Sequence, residues 1–298
     1  MTVTRDLELR ADDGYRLAAT RAVGRGEQFV VVAGATAVPR RYYRRFAEYA
    51  AGRGVDVVTV DYRGVDGSRH GPLRGLAADL GDWCTRDLGA AVAWAAERGP
   101  TWVVGHSLGG HALGRLPEPD LVRAAYVCGT GAGWAGWMTP RERLRVRLLW
   151  DVVAPVTTAA LGYLPMRALG MGEDLPLDVY RQWRHWCGFP RYFFDDPGAA
   201  EVTAPFARVT TPIAAAVATD DPWAPPRSRD AFFTGYPSAP IERIDLAPAE
   251  LGVASVGHMG YFHADVGRVL WPRMLAWLSG HGLRLEDHGR AARADGTG

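Results

Sequence analysis

Short runs that are apolar throughout alternate along most of the chain with longer stretches of helical periodicity. "QFVVVAG" (Gln28–Gly34) is a β-branched run closed by glycine, "RRYYRRFAEYAAGRG" repeats its apolar positions at helical spacing, and "VDVVTVDYRG" (Val55–Gly64) is the next apolar run. "LAADLGDWCTRDLGAAVAWAAERG" then reads as a helical segment and "TWVVG" as a strand, a helix begins near Leu108, and "AAYVCGTG", "PIAAAVATDD" and "IERIDLAP" read as later strands. Runs apolar on every residue belong to strands buried on both faces. This β-helix-β order therefore predicts an α/β fold, a mostly parallel sheet with right-handed crossovers and helices on both faces. The opening "LELRADDGYRLAATRAVG" predicts a hairpin turning at Asp13-Gly14, an antiparallel edge on that sheet.

One stretch breaks the alternation. Residues 131–200 hold no β-branched run but carry Trp134, Trp137, Trp150, Trp183, Trp186 and several Tyr and Phe, with Gly and Pro between short helical pieces. The pattern predicts a helical cap inserted between two strands of a core made of residues 1–130 and 201–280. Residues 281–298 are polar and Gly-rich and predict a flexible tail.

Composition excludes more than it selects. The 298 residues are 48% hydrophobic and 22% charged, enough for a sizeable core, and 34 Lys and Arg against 33 Asp and Glu give a net charge of +1. No charge excess argues for nucleic acid or an anionic membrane surface, and the arginines of "PRRYYRRF" fit the solvated face of a helix. The start has no secretory signal pattern and no window has the apolar length of a membrane span, so a cytoplasmic location is the default expectation. Cys84, Cys128 and Cys187 are too scattered for a disulfide framework or a C-x-x-C metal site and read as buried free thiols.

The chemistry centres on "VVGHSLGG", where a buried strand must reverse sharply into a helix. The G-x-S-x-G spacing leaves room beside Ser107, presents its hydroxyl at the end of the sheet, and turns the backbone N–H of Leu108 and a positive helix end toward the same space. The competing reading is a glycine-rich turn with an idle serine. A nucleophilic serine needs an imidazole to take its proton and a carboxylate to orient that imidazole, following in the order Ser, acid, His on loops after later strands. "ATDDPWAPP" supplies Asp221, with Asp220 as the alternative, and "ASVGHMGYF" supplies His258 in a Gly-flanked loop. Of the other histidines, His106 reads as packing, His111 falls in the following helix, His70 in an early loop and His185 in the insertion, where it could contact substrate; His263 ranks second as base.

Taken together, "GHSLGG", "DYRGVDGS", "DDPWAP" and "GHMGYF" resemble the α/β-hydrolase superfamily over roughly residues 5–280, and "AGATAVPRRYYRRFAEYAAGRGVDVVTVDYRG" is similar to a bacterial branch described as predicted, serine aminopeptidase-like hydrolases. The resemblance implies a serine hydrolase with Ser107, Asp221 and His258 as its triad. It also implies an oxyanion hole from the N–H of Leu108 and of a residue after the first parallel strand, by position Ala35, with Thr36 as the alternative. Two departures stand out: Ala33-Gly34 where many members have His-Gly, and Asp66 where a second glycine is usual.

The implied reaction is hydrolysis of an ester or thioester through an acyl-enzyme, without metal or cofactor. Trp134, Trp137, Trp183, Trp186 and Trp223 are candidates for an apolar site accepting a small-molecule acyl substrate with an apolar or aromatic part, while Arg181, Arg184 and Arg191 could meet a substrate anion. An acyltransferase on the same triad and a non-catalytic binding module are the alternatives, and a homodimer through the cap or an edge strand is compatible with the sequence.

Overall fold

The computed structural model describes residues 2–286. Its strands in chain order are β1 (Thr4–Arg10), β2 (Arg16–Ala22), β3 (Phe29–Ala33), β4 (Asp56–Val60), β5 (Thr101–His106), β6 (Val122–Cys128), β7 (Tyr163–Leu164), β8 (Leu175–Pro176), β9 (Ile213–Ala218) and β10 (Ile241–Leu246). Eight of them form one sheet in the order β1-β2-β4-β3-β5-β6-β9-β10. The hairpin β1–β2 meets β4 antiparallel, and every later pairing is parallel. This is the α/β architecture that the apolar runs imply.

Period-two alternation divides each central strand between two cores. Val31, Val58 and Val103 face one side, where α2 (Leu88–Ala96) and α3 (Leu108–Leu113) pack, while Val30, Val57 and Val104 face the other, under α1 (Arg44–Ala51) and the last long helix. Each buried side chain of this kind contributes roughly 1.5–3 kcal/mol, and β3, β4 and β5 have no exposed residue at all. Arg63 at the end of the "DYRG" run is buried and held by Asp87 at 2.7 Å and Asp13 at 2.6 Å. Burial pushes the Asp87 carboxyl up to about 6 in spite of that arginine.

Between β6 and β9 the chain leaves the sheet. It forms α4 (Pro140–Leu148), a π turn (Leu149–Val153), α5 (Ala154–Leu161), α6 (Leu177–Trp186) and α7 (Ala200–Thr203), then a 3-10 turn (Ala204–Arg208) before re-entering the sheet. The sequence reading has no strand here, but β7 and β8 pair antiparallel. Two residues apiece, one of them Pro176, are too few to leave a β-branched run. After β9 come α8 (Pro226–Phe233) and, past β10, α9 (Ala264–Gly280).

Residues 281–286 lie along the core rather than away from it. Leu283 is buried, Trp102 Nε1 donates to the carbonyl of His281 at 3.1 Å, and the N–H of Arg284 donates to Gln28 at 2.9 Å. The rest of the expected flexible tail, 287–298, lies outside the described residues. Among the described residues no helix is long and apolar enough to cross a membrane, and no three His, Cys, Asp or Glu side chains group as a metal site would need. Cys84, Cys128 and Cys187 are free and buried.

Candidate active site

The turn from β5 into α3 passes through Ser107 at φ 51° and ψ −102°, a left-handed region that a residue with a Cβ enters only under constraint. Two hydrogen bonds impose it: the Ser107 N–H donates to the carbonyl of Cys128 at 2.8 Å, and its own carbonyl accepts from Thr130 Oγ1 at 2.7 Å. The flanking glycines are steric necessities. A Cβ on Gly105 would lie 2.6 Å from Val127 Cγ1, and one on Gly109 would lie 2.4 Å from the Ala33 carbonyl oxygen.

Three loops at the carboxyl ends of β5, β9 and β10 bring their side chains to one point. His258 Nε2 is 3.0 Å from Ser107 Oγ, and its Nδ1 is 2.9 Å and 3.1 Å from the two oxygens of Asp221. Asp221 is buried, and besides the imidazole its carboxylate accepts from the N–H groups of Trp223 and Ala224 and from the Tyr261 hydroxyl, each at 2.9 Å. Burial alone would raise this carboxyl, but the imidazole and the backbone donors outweigh it and hold the carboxyl below its usual range. An ionised Asp221 keeps the proton of His258 on Nδ1, leaving Nε2 bare to accept from the serine hydroxyl.

Asp220 does a different job. Its oxygens accept from Ser255 Oγ at 2.6 Å and from the N–H groups of Val256 and Gly257 at 3.0 Å, so it ties down the loop that carries His258. His106 also reaches that loop. Its Nε2 lies 2.9 Å from the His258 carbonyl and its Nδ1 3.1 Å from the Tyr43 hydroxyl. A carbonyl can only accept, so Nε2 carries the proton and Tyr43 donates to Nδ1. Burial holds His106 neutral, with its pKa lowered to about 3. The sequence reading gives His106 packing alone; its partners lie at positions 43 and 258, and no local motif announces them.

The same tyrosine bears on Ala35, the expected oxyanion donor. The N–H of Ala35 donates to the Tyr43 hydroxyl at 2.8 Å and is therefore occupied. Thr36 follows it, lines the cleft beside Ser107, and its N–H has no acceptor among the described residues. Leu108 opens α3, where the first N–H groups have no carbonyl of their own helix to bond. Asp66 stands at φ 37°, in the backbone conformation a glycine would take, and pairs with Arg41. Arg41 also binds Glu173 of the insertion at 2.7 Å, the Glu173 N–H donates to the Ala37 carbonyl at 2.7 Å, and a Cβ on Gly172 would sit 2.5 Å from that oxygen.

A cleft of about 390 Å³ opens over Ser107 and His258, walled by Thr36, Val38, Met166, Met171, Trp183 and Trp223. Trp183 and Trp223 stack with centroids 5.8 Å apart, and Trp150 packs edge-on against Trp183 from behind. Trp134, Trp137 and Trp186 are not in this wall. Trp134 and Trp137 pack on each other, Trp137 donating to the Pro190 carbonyl, and Trp186 packs against Tyr192 and Phe193 while donating to Asp196. His185 is turned to Asp196, and Arg181, Arg184 and Arg191 pair with Asp178, Asp151 and Asp195, all away from Ser107. His263 stands at the residue before α9 without its side chain bonding the first turn, and His111 is buried against Tyr192 with its Nε2 at the Gly131 carbonyl.

Comparison with known proteins gives a consistent result at the level of fold. The profile of a family described as "Alpha/beta hydrolase family" matches residues 29–268. No curated protein matches the sequence. Among solved structures, a soluble variant of monoglyceride lipase from Saccharomyces cerevisiae in complex with a substrate analogue is similar at 14% identity and a TM-score of 0.68, over 94% of this chain and 97% of that one. A thermophilic esterase from Thermogutta terrifontis is similar at 15% identity and a TM-score of 0.57, over 94% and 100%. An esterase from Pyrococcus furiosus is similar at 13% identity and a TM-score of 0.59, over 94% and 91%.

Proposed function

The chain belongs to the alpha/beta hydrolase family, and from that premise we propose that it is a serine hydrolase cleaving a carboxylic ester or thioester with an apolar acyl group. The observation that carries the reading is the unbroken line of hydrogen bonds from Ser107 Oγ through both nitrogens of His258 to a buried Asp221. As Ser107 Oγ bonds to the acyl carbon, its proton passes to His258 Nε2, and the carbonyl electrons move onto the oxygen. The N–H groups of Leu108 and Thr36 receive that oxyanion; one such donor is worth about 10²–10³ in kcat. Collapse breaks the bond to the leaving group, which takes the proton from His258. Water then repeats the sequence on the acyl-serine and releases the acid.

Trp183, Trp223 and the two methionines give the acyl group an apolar wall, and the apolar character of that wall supports a substrate without charge near the reacting carbon. The test is labelling by a fluorophosphonate probe of wild type and Ser107→Ala, with nitrophenol release followed from esters of short and longer acyl chains. Labelling and turnover that vanish in the variant are expected. A folded wild type that neither labels nor hydrolyses any ester of the series removes the reading.

A further inference from the structure

The helical stretch 140–161 is apolar on two opposite sides. Val146, Trp150, Ala154 and Thr158, four positions apart, are buried against the core. Leu144, Leu148, Val152 and Val156 repeat at the same spacing, offset by two positions and so roughly half a turn away. These four are exposed by 71%, 56%, 52% and 66%, and nothing among the described residues covers them. Apart from Val3, every exposed large apolar side chain among the described residues lies within 144–171 or is Met259. Scattered exposed leucines are ordinary, but this concentration in one segment of the chain is not.

The charge of this segment departs from that of the chain. Residues 140–161 contain four arginines against two carboxylates. Glu142 pairs with Arg145 and Asp151 with Arg184, while Arg141 and Arg147 stand exposed and free of carboxylate partners among the described residues. The balanced net charge of +1 averages this local excess away. The helix borders the site by residues beside the stripe, and the exposed Met171 and Met259 reach it directly. Arg145, Val146 and Leu149 border a groove of about 450 Å³ that reaches His258, and Met171 and Met259 wall both that groove and the cleft over Ser107.

We infer that this face docks on an anionic lipid surface, with the aliphatic stripe in the acyl boundary and the arginines against the headgroups, and that substrate enters from the lipid phase past Met171 and Met259. An apolar stripe flanked by arginines on a surface helix has the composition of an interfacial element. A second copy of the chain seated on this face would cover the cleft mouth, whereas a lipid surface would supply it. Docking is independent of turnover; only the entry of substrate rests on the proposed hydrolase activity.

The experiment is flotation with vesicles of phosphatidylglycerol and phosphatidylcholine, and with phosphatidylcholine alone, using wild type and Ser107→Ala. Both proteins are expected to float with the anionic vesicles and to dissociate as salt rises. Changing Leu144, Leu148, Val152 and Val156 together to Ser is expected to lower binding more than tenfold. Arg141→Gln with Arg147→Gln is expected to lower it roughly tenfold or more. Both variants should hydrolyse a soluble short-chain nitrophenyl ester as wild type does. Flotation without any ester hydrolysis by wild type would support docking and defeat the hydrolase reading. Absence of flotation, flotation untouched by both variants, or a dimer in sedimentation velocity that the serine variant abolishes would each overturn the docking.

Discussion

Removing a single oxygen by Tyr43→Phe tests whether the loop that bears Thr36 and the loop that bears His258 are positioned by one shared network. The ring is buried and keeps its packing against Phe262, at 4.8 Å between centroids, so the change acts on hydrogen bonds. It leaves the Ala35 N–H without its acceptor at 2.8 Å and His106 Nδ1 without its donor at 3.1 Å. Each buried group left unpaired costs about 1–3 kcal/mol, so the pair costs about 2–6 kcal/mol. At roughly 2–4 °C per kcal/mol for a domain of this class, thermal unfolding at neutral pH should fall by roughly 4–24 °C. The freed Ala35 peptide no longer fixes the direction of the Thr36 N–H, so kcat for a nitrophenyl ester should fall by about tenfold or more with KM little changed. Tyr62→Phe is the comparison. It loses only a 3.3 Å bond to the Gly34 carbonyl and should lower the midpoint by less than half as much. A Tyr43→Phe protein that melts within 1 °C or so of wild type and keeps its kcat would refute the network as a positioning device, whatever its magnitude in energy.

The two neighbouring carboxylates should separate by role. Asp221→Asn is expected to lower kcat by about 10⁴ through the wrong imidazole tautomer, and Asp220→Asn by about tenfold through a looser loop; equal losses in steady-state kinetics would count against the assignment. Trp183→Ala should raise KM for long-chain esters by about tenfold and leave short-chain esters nearly unchanged, since only a long acyl group reaches that wall; a uniform loss across the series would contradict this. The buried histidines predict acid lability. The folded chain resists the protons that the unfolded chain binds at His106 and at His111, whose pKa burial lowers from 6.5 to about 3 and about 4, so their stabilising contribution is complete above pH 6.5 and is lost as pH falls toward 4. Asp61 and Asp87, raised by burial, act in the opposite sense, so the difference between proteins is the measure. Denaturant titrations at several pH values should show His111→Gln with a slope of stability on pH shallower by about 1.4 kcal/mol per unit, and an unchanged slope would disprove the prediction.

What is legible in the sequence follows physical locality. The parallel strands are visible because burial on both faces leaves an uninterrupted apolar run, as in "FVVVA". Ser107, Asp221 and His258 are nominated by turns whose sterics are local and whose order along the chain follows from the sheet. Ala35 against Thr36 is another matter. Which amide points into the cleft depends on a peptide plane that Tyr43 turns from the start of the next helix. The tryptophans fail for a related reason. Composition says that the insertion has many rings, but only tertiary packing decides that Trp183 and Trp223 face Ser107 while Trp134, Trp137 and Trp186 face one another or neighbouring rings. The roles of Asp220 and His106 are set by contacts with the His258 loop across the sheet edge and have no sequence signature.

The seam between Gly172 and Ala37 limits how the enzyme can breathe. Because the insertion is bonded there to the very loop that bears Thr36, and has no space for even one more carbon, it cannot swing away as a rigid lid without pulling on that loop. Admission to the cleft is thereby left to side chains of its wall. The unbranched, torsionally free Met171 and Met259 stand there, and can part and close by rotamer changes on a timescale far shorter than that of moving a domain.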